Sequence, residues 1–232
     1  MKLPIGSSAD RKRNGTLKMQ VIVLASRKGG VGKTTLAGHI SVQAELAGAG
    51  PVAVIDMDEQ GSLASWWNAR SQALPRFARV GEGGLQWTLS GLEKAGTKLV
   101  VIDTPPYATL EIGEIVRFAD IAVVPVKPSP HDLRAVGETV DVIEAADKPF
   151  VFVINEAPTN GLLTLQAMRT LSKHGRVAAV IKTRQDFRST MIKGGTVQEI
   201  FPNGKSAAEI AELWDAIDSA LNKHGVQYEP AA

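Results

Sequence analysis

The 232-residue sequence contains no cysteine. That absence excludes disulfides, thiolate metal sites, cysteine-held iron–sulfur clusters and cysteine nucleophiles together, and it suits a reducing cytoplasm. No apolar run approaches the ~20 residues that span a bilayer, and the opening stretch MKLPIGSSADRKRNGTLK has no apolar segment of the signal-peptide kind. Neither export nor insertion is expected. The net charge is small as well, only +2, but its distribution is uneven. In residues 1–20, Lys2, Arg11, Lys12, Arg13 and Lys18 stand against Asp10 alone, so the remainder is slightly acidic. Residues 176–205 form a second basic region, with Arg176, Lys182, Arg184, Arg188, Lys193 and Lys205 against Asp186 and Glu199. Two patches therefore suit a polyanion. A charged tail with few apolar residues is also what a solvated, flexible segment looks like, and residues 1–18 are read that way.

The length fits one large domain. Within it, short apolar runs alternate with segments of helical period, the pattern of an α/β protein. The runs are QVIVLAS (20–26), VAVID (52–56), KLVVID (98–103), IAVVPV (121–126), PFVFVIN (149–155) and VAAVI (177–181), with FARV (77–80) as a shorter addition. Most are apolar at consecutive positions, which predicts a mostly parallel central sheet flanked by helices on both faces. Helices are predicted at 34–48, at 62–73, near 84–95, 109–119, 131–146 and 160–173, and at 206–222. In the last, Ile210, Leu213, Trp214, Ile217 and Leu221 form one apolar stripe. Trp66 and Trp67 diverge on their helix, so at least one belongs to the core.

The stretch SRKGGVGKTT (26–35) carries the chemistry. It lies between a strand and a helix, where backbone N–H groups of a glycine-rich turn converge on phosphate. Gly29, Gly30, Val31 and Gly32 supply that turn. Lys33 is placed to bridge the β- and γ-phosphates, Thr34 to give its hydroxyl to Mg²⁺, and Thr35 to bond the α-phosphate. The pattern G-x-x-x-x-G-K-[ST] nevertheless asks for glycine at position 27 and finds Arg27, followed by a second lysine, Lys28. A Mg²⁺–triphosphate site also needs carboxylates at neighbouring strand ends. Asp103 closes LVVID before TPP, Asp56 closes VAVID, and Asp58 follows on the same side of an extended segment. A lone strand-end aspartate is commonly a cap or turn residue, but three around one phosphate loop argue for a metal–nucleotide site.

KGGVGKTT with its preceding lysine, D-x-D-x-Q-G after the second strand, DTPP, and VVPVKPSPHDLRAV together resemble the ParA/MinD family of partition and positioning ATPases, over about residues 20–222. The resemblance implies an ATPase domain over residues 19–225, between the basic tail and a C-terminal tail at 226–232. It also implies that Lys28 reaches across a nucleotide-sandwich homodimer to the partner's phosphates. Asp58 then orients the attacking water, Asp56 and Asp103 support the Mg²⁺, Gly61 lets the switch loop move, and Asn155 contacts adenine. As a bare residue Asn155 is equally a turn former. Glu59 stands where the family commonly has proline, so the loop is expected to be more mobile. The resemblance leaves open whether Arg27 meets phosphate, DNA or solvent.

By the same resemblance, the expected function is an ATP-dependent dimerisation switch with slow hydrolysis, stimulated by a ParB-like or other adaptor protein. It would bind DNA nonspecifically through Arg184, Arg188 and Lys193, associate with the nucleoid, and position a plasmid, chromosome or large protein cargo. A membrane-surface switch of the MinD type is the alternative, but HGVQYEPAA shows no amphipathic anchor. An amidoligase-like enzyme would need a small-substrate pocket that the sequence does not reveal. A reductase resembling the nitrogenase iron protein is excluded by the missing cysteine.

Overall fold

The computed structural model describes residues 18–106, 109–159 and 161–225. Of the two predicted tails, only Lys18 lies within it. The strands are β1 (Gln20–Leu24), β2 (Val52–Asp56), β3 (Arg76–Ala78), β4 (Leu99–Asp103), β5 (Ile121–Val126), β6 (Phe150–Ala157) and β7 (Arg176–Lys182). The helices are α1 (Lys33–Leu46), α2 (Ser62–Asn68), α3 (Gly84–Lys94), α4 (Thr109–Val116), α5 (Pro130–Ala145), α6 (Leu162–Leu171), α7 (Gln185–Ile192), α8 (Val197–Ile200) and α9 (Lys205–Gly225).

All seven strands join one parallel sheet in the order β3-β2-β4-β1-β5-β6-β7. The consecutive apolar residues have a direct use, because alternate side chains on each strand enter two different cores. Ile22, Leu24, Val52, Val54, Leu99 and Val101 pack toward α1, α2 and α7–α9. Val21, Val23, Ala53, Ile55, Val100 and Ile102 pack toward α3–α6. Each fully buried aliphatic side chain of this kind contributes about 1.5–3 kcal/mol.

Helix α1 has no polar face to speak of: Leu36, Ala37, Gly38, His39, Ile40, Ser41, Val42 and Ala44 are all buried. The reason is a third layer. α7 and α8 cross over α1 as a strap, so that Phe187 and Val197 share a core with Leu36 and Ile40. The sequence predicts neither helix, because QDFRSTMI and VQEI are too polar or too short to show a helical period.

Several boundaries also differ. The helix predicted to reach residue 73 stops at Asn68, because the chain must turn to deliver Pro75 to β3. β3 occupies 76–78 in place of 77–80. β6 continues past Asn155 to Ala157, with a register shift between Ile154 and Ala157 and Glu156 at φ 51°. Among the described residues, no helix is long and apolar enough to cross a membrane.

Candidate nucleotide site and its surroundings

The carboxyl ends of β2, β4 and β1 are neighbours, and register fixes what stands there: Asp103 lies opposite both Leu24 and Asp56. The phosphate loop leaves β1 at this edge and enters α1 through Gly32, whose φ of 96° is left-handed. A Cβ on Gly32 would sit 2.1 Å from the Asn155 amide nitrogen, so the position needs glycine for both conformation and space. Asn155 is buried and donates from Nδ2 to the Val31 carbonyl at 2.7 Å. It thereby pins the loop, a role that no sequence pattern announces.

Lys33 is buried and donates to the Ser26 carbonyl at 3.2 Å, spanning the loop it belongs to. Burial lowers its pKa, opposed by the carboxylates of Asp103 and Asp58. Thr34 Oγ1 donates to Asp103 Oδ2 at 2.5 Å. Asp103 is fully buried and its Oδ1 has no hydrogen-bond partner. Burial pushes its carboxyl up to about 7, with the Thr34 hydrogen bond pulling the other way. A buried, unpartnered carboxylate oxygen beside a hydroxyl at a phosphate loop is a fit for Mg²⁺, which takes one or two protein oxygens and completes its shell with phosphate and water. Asp56 is differently employed. Its Oδ1 accepts from the Asp58 N–H at 3.0 Å and its Oδ2 from the Ala64 N–H at 2.9 Å, so it anchors the loop to α2. Asp58 accepts from the Gln60 N–H at 3.0 Å.

Beside the loop lies a cleft of about 110 Å³ lined by Thr35, Asn155, Glu156, Thr183, Phe187 and Arg188, among others. A partly apolar cleft adjoining the α-phosphate end of a phosphate loop is where a base and sugar would go. Glu156, at the lip, pairs with Lys127 at 3.0 Å and Arg188 at 3.2 Å.

The two cations ahead of the turn both engage α5. The Arg27 guanidinium pairs with Glu138, and its backbone N–H donates to Thr139 Oγ1 at 3.2 Å. Through this half-exposed pair Arg27 fastens the loop to a helix. Lys28 Nζ lies 2.7 Å from Asp132 Oδ1. Asp132 is buried, and its other oxygen accepts from the Ser129 hydroxyl, which caps α5 in return by accepting the Asp132 N–H at 3.2 Å. The sequence SPHD at 129–132 carries the capping signal, so the location of Asp132 is legible there although its partnership with Lys28 is not.

The three basic residues assigned to DNA all lie on or beside α7 but differ in freedom. Arg184 places two nitrogens on Glu209, at 2.7 and 3.3 Å, which offsets its charge. Arg188 is 74% exposed despite its Glu156 contact. Lys193 is exposed at the C-cap of α7. At about 1.5 Å per helical residue, Arg184 and Lys193 are separated by roughly 13 Å along the axis.

Comparison with known proteins agrees with this geometry. Residues 22–197 match the model of the CobQ/CobB/MinD/ParA nucleotide binding domain. The chain is 33% identical over 209 residues to maintenance of carboxysome distribution protein A of Gloeobacter kilaueensis, covering 88% of this chain and 94% of that protein. In fold it is similar to an ATP complex of a Cyanothece McdA variant, with a TM-score of 0.69 at 16% identity over 88% of this chain and 97% of that one. It is similar also to the MinD cell division protein of Aquifex aeolicus, with a TM-score of 0.72 at 16% identity over 86% and 97% of the two chains. A strand-to-helix phosphate loop pinned by Asn155, carboxylates at adjoining strand ends and a family match over most of the chain lead to one conclusion: the protein belongs to the CobQ/CobB/MinD/ParA family of nucleotide-binding domains, with the ParA/MinD fold.

Proposed function

We propose that this protein is an ATP- and Mg²⁺-dependent dimerisation switch that hydrolyses ATP slowly, binds DNA nonspecifically in its ATP-bound dimer, and thereby positions a large cargo on the nucleoid. The observation that carries the reading is the division of labour between two lysines. Lys33 spans its own phosphate loop, whereas Lys28 is turned aside onto Asp132. A lysine parked beside a phosphate site, on a partner it can leave, suits a cation delivered to a second copy's phosphates, in the manner of an arginine finger. Mg²⁺ would be held by Thr34 and Asp103, and Asp58, on the loop that Asp56 anchors, would orient water.

The name of the Gloeobacter relative favours a large protein body as cargo over a plasmid or chromosome. An adaptor on that cargo, ParB-like in role, would stimulate hydrolysis and release the dimer from DNA. The DNA contacts fall to Arg188 and Lys193, with Arg184 contributing less because Glu209 already neutralises it.

The test is binding to duplexes of arbitrary sequence with ATP and Mg²⁺ against ADP, across a salt series. Affinity is expected only with ATP, with log K falling about 0.9 per phosphate contact per log unit of salt. Arg188→Ala should weaken it and leave dimerisation intact. A chain lacking residues 1–18 must be run alongside. If that truncation abolishes binding while Arg184, Arg188 and Lys193 prove dispensable, the surface is misassigned. Sedimentation of the ATP dimer with anionic liposomes, and indifference to DNA, would replace the DNA reading with the membrane one.

A further inference from the structure

Arg70 belongs to no motif, yet its side chain is 2% exposed and heavily bonded. One terminal nitrogen donates to the Gly194 carbonyl at 2.9 Å and to Glu199 Oε2 at 3.2 Å. The other donates to the Leu74 carbonyl at 2.6 Å and to Glu199 Oε1 at 2.8 Å. Its guanidinium lies 4.8 Å from the Trp66 ring centroid, and Trp66 donates to the Gly195 carbonyl at 3.0 Å. The backbones beneath are in contact, since a Cβ on Gly194 would lie 2.3 Å from the Ala69 carbonyl carbon. The C-terminal end of α2 is thus clasped to the junction of α7 and α8.

The other end of α2 is tied to the strand ends that frame the phosphate loop. Asp56 holds the Asp58 and Ala64 N–H groups together, so the start of α2 is fixed to the loop carrying Asp58. Only seven residues of helix intervene, a rod of about 10 Å. We infer that Arg70 is a positioning residue that makes the α7–α8 strap follow the Asp58 loop, so that the surface bearing Arg188 and Lys193 is set by nucleotide state. An apolar contact would let two helices slide, whereas a planar fork whose two terminal nitrogens bond a carboxylate and two carbonyls matches them at one relative placement. Burying a guanidinium also carries a desolvation cost that a purely structural staple of Leu or Met would avoid. The strap bears on α1 as well, through Gln198 Nε2 donating to the His39 carbonyl at 2.7 Å, so phosphate loop and switch loop reach the same element. The consequence for DNA rests on the function proposed above; the coupling itself does not.

The experiment compares wild type with Arg70→Lys, Glu199→Gln and the double variant. Dimer mass with ATP–Mg²⁺ is followed by light scattering, amide exchange over residues 193–200 with and without nucleotide, and duplex affinity with ATP against ADP. Wild type should show nucleotide-dependent exchange over 193–200 and an ATP/ADP affinity ratio of roughly 100-fold or more, at or beyond the upper end of what is typical of coupled sites. Each single variant should still dimerise with ATP but lose the exchange response and most of that ratio, and the double variant should lose no more than either single. Glu199→Gln keeps the Arg70 bonds to Gly194 and Leu74, so it remains informative if Arg70→Lys fails to fold. Undiminished exchange response in the folded variants, or none in wild type, overturns the inference. A wild-type exchange response that the variants abolish, without DNA binding by any of them, leaves the coupling standing and removes the DNA reading alone.

Discussion

Replacing Asp132 with asparagine should tighten the ATP-dependent dimer. Lys28 is held 2.7 Å from a carboxylate whose side chain is only 7% exposed, while Lys28 itself is 36% exposed. An ion pair whose lysine is about a third exposed is worth up to about 1 kcal/mol, and the burial of Asp132 keeps this one near that figure. To act on a second copy, Lys28 must leave Asp132, and a symmetric dimer requires both copies to do so. The combined restraint is therefore about 2 kcal/mol, or about 30-fold in the dimer Kd. The Asp132→Asn substitution keeps the cap, because the Ser129 hydroxyl accepts a backbone N–H, which the change of side chain leaves in place. Sedimentation velocity with ATP across a protein dilution series measures the Kd, and thermal melting checks that α5 is intact. A dimer no tighter than wild type, in a variant with an unchanged melting temperature, would refute the idea that Asp132 competes with the partner for Lys28.

Lys33→Ala should lose nucleotide binding, while Lys28→Ala keeps much of it and fails to dimerise with ATP; titration paired with light scattering separates them. Asp58→Ala should accumulate the ATP dimer and turn over well below the parent rate, so a phosphate-release rate equal to the parent would move the water-orienting role elsewhere. Gly32→Ala places a Cβ against the Asn155 amide; overpacking of this kind costs about 1–3 kcal/mol, and denaturant titration and nucleotide affinity should fall together. His39 is completely buried, and burial pushes its pKa down to about 4. Above a pH of about 6.5 it is neutral folded or unfolded and contributes nothing; between there and about 4 only the unfolded chain takes the proton, so stability falls by about 1.4 kcal/mol per pH unit, about 3 kcal/mol in all. His39→Asn should flatten that part of the stability profile, and an unchanged slope would show that other groups cause it.

The central part of the fold is legible because the sheet is covered on both faces. Strands such as VAVID and LVVID feed two cores through alternate residues, so nearly every position is apolar and the strand announces itself. α7 and α8 give no such signal. They pack on a helix already resting on the sheet, and a strap needs only a few apolar residues, here Phe187, Met191 and Val197, among otherwise polar neighbours. A polar helix closed by long-range hydrogen bonds shows in sequence only its charge, so beyond the strand at 177–181 the second basic region, 176–205, announces no helix.

The phosphate site follows the same division. Gly32, Lys33, Thr34 and Asp103 are identifiable because phosphate and metal chemistry dictates both residue type and spacing at the end of a strand. The family resemblance points Asn155 at adenine, yet its amide nitrogen is engaged by Val31, a contact between residues 124 apart that no local pattern encodes. Arg27 and Lys28 are anomalous against the loop pattern, but their partners Glu138 and Asp132 lie more than a hundred residues away on α5. Glu199 stands 129 residues from Arg70. Apart from the uncharged Asn155, what escapes a sequence read alone is of one kind: single charged residues whose meaning comes from an equally ordinary partner on a distant helix. Such pairs fasten the phosphate loop to α5 and α2 to the strap, which are the two places where the proposed nucleotide-driven rearrangement would have to break or carry contacts.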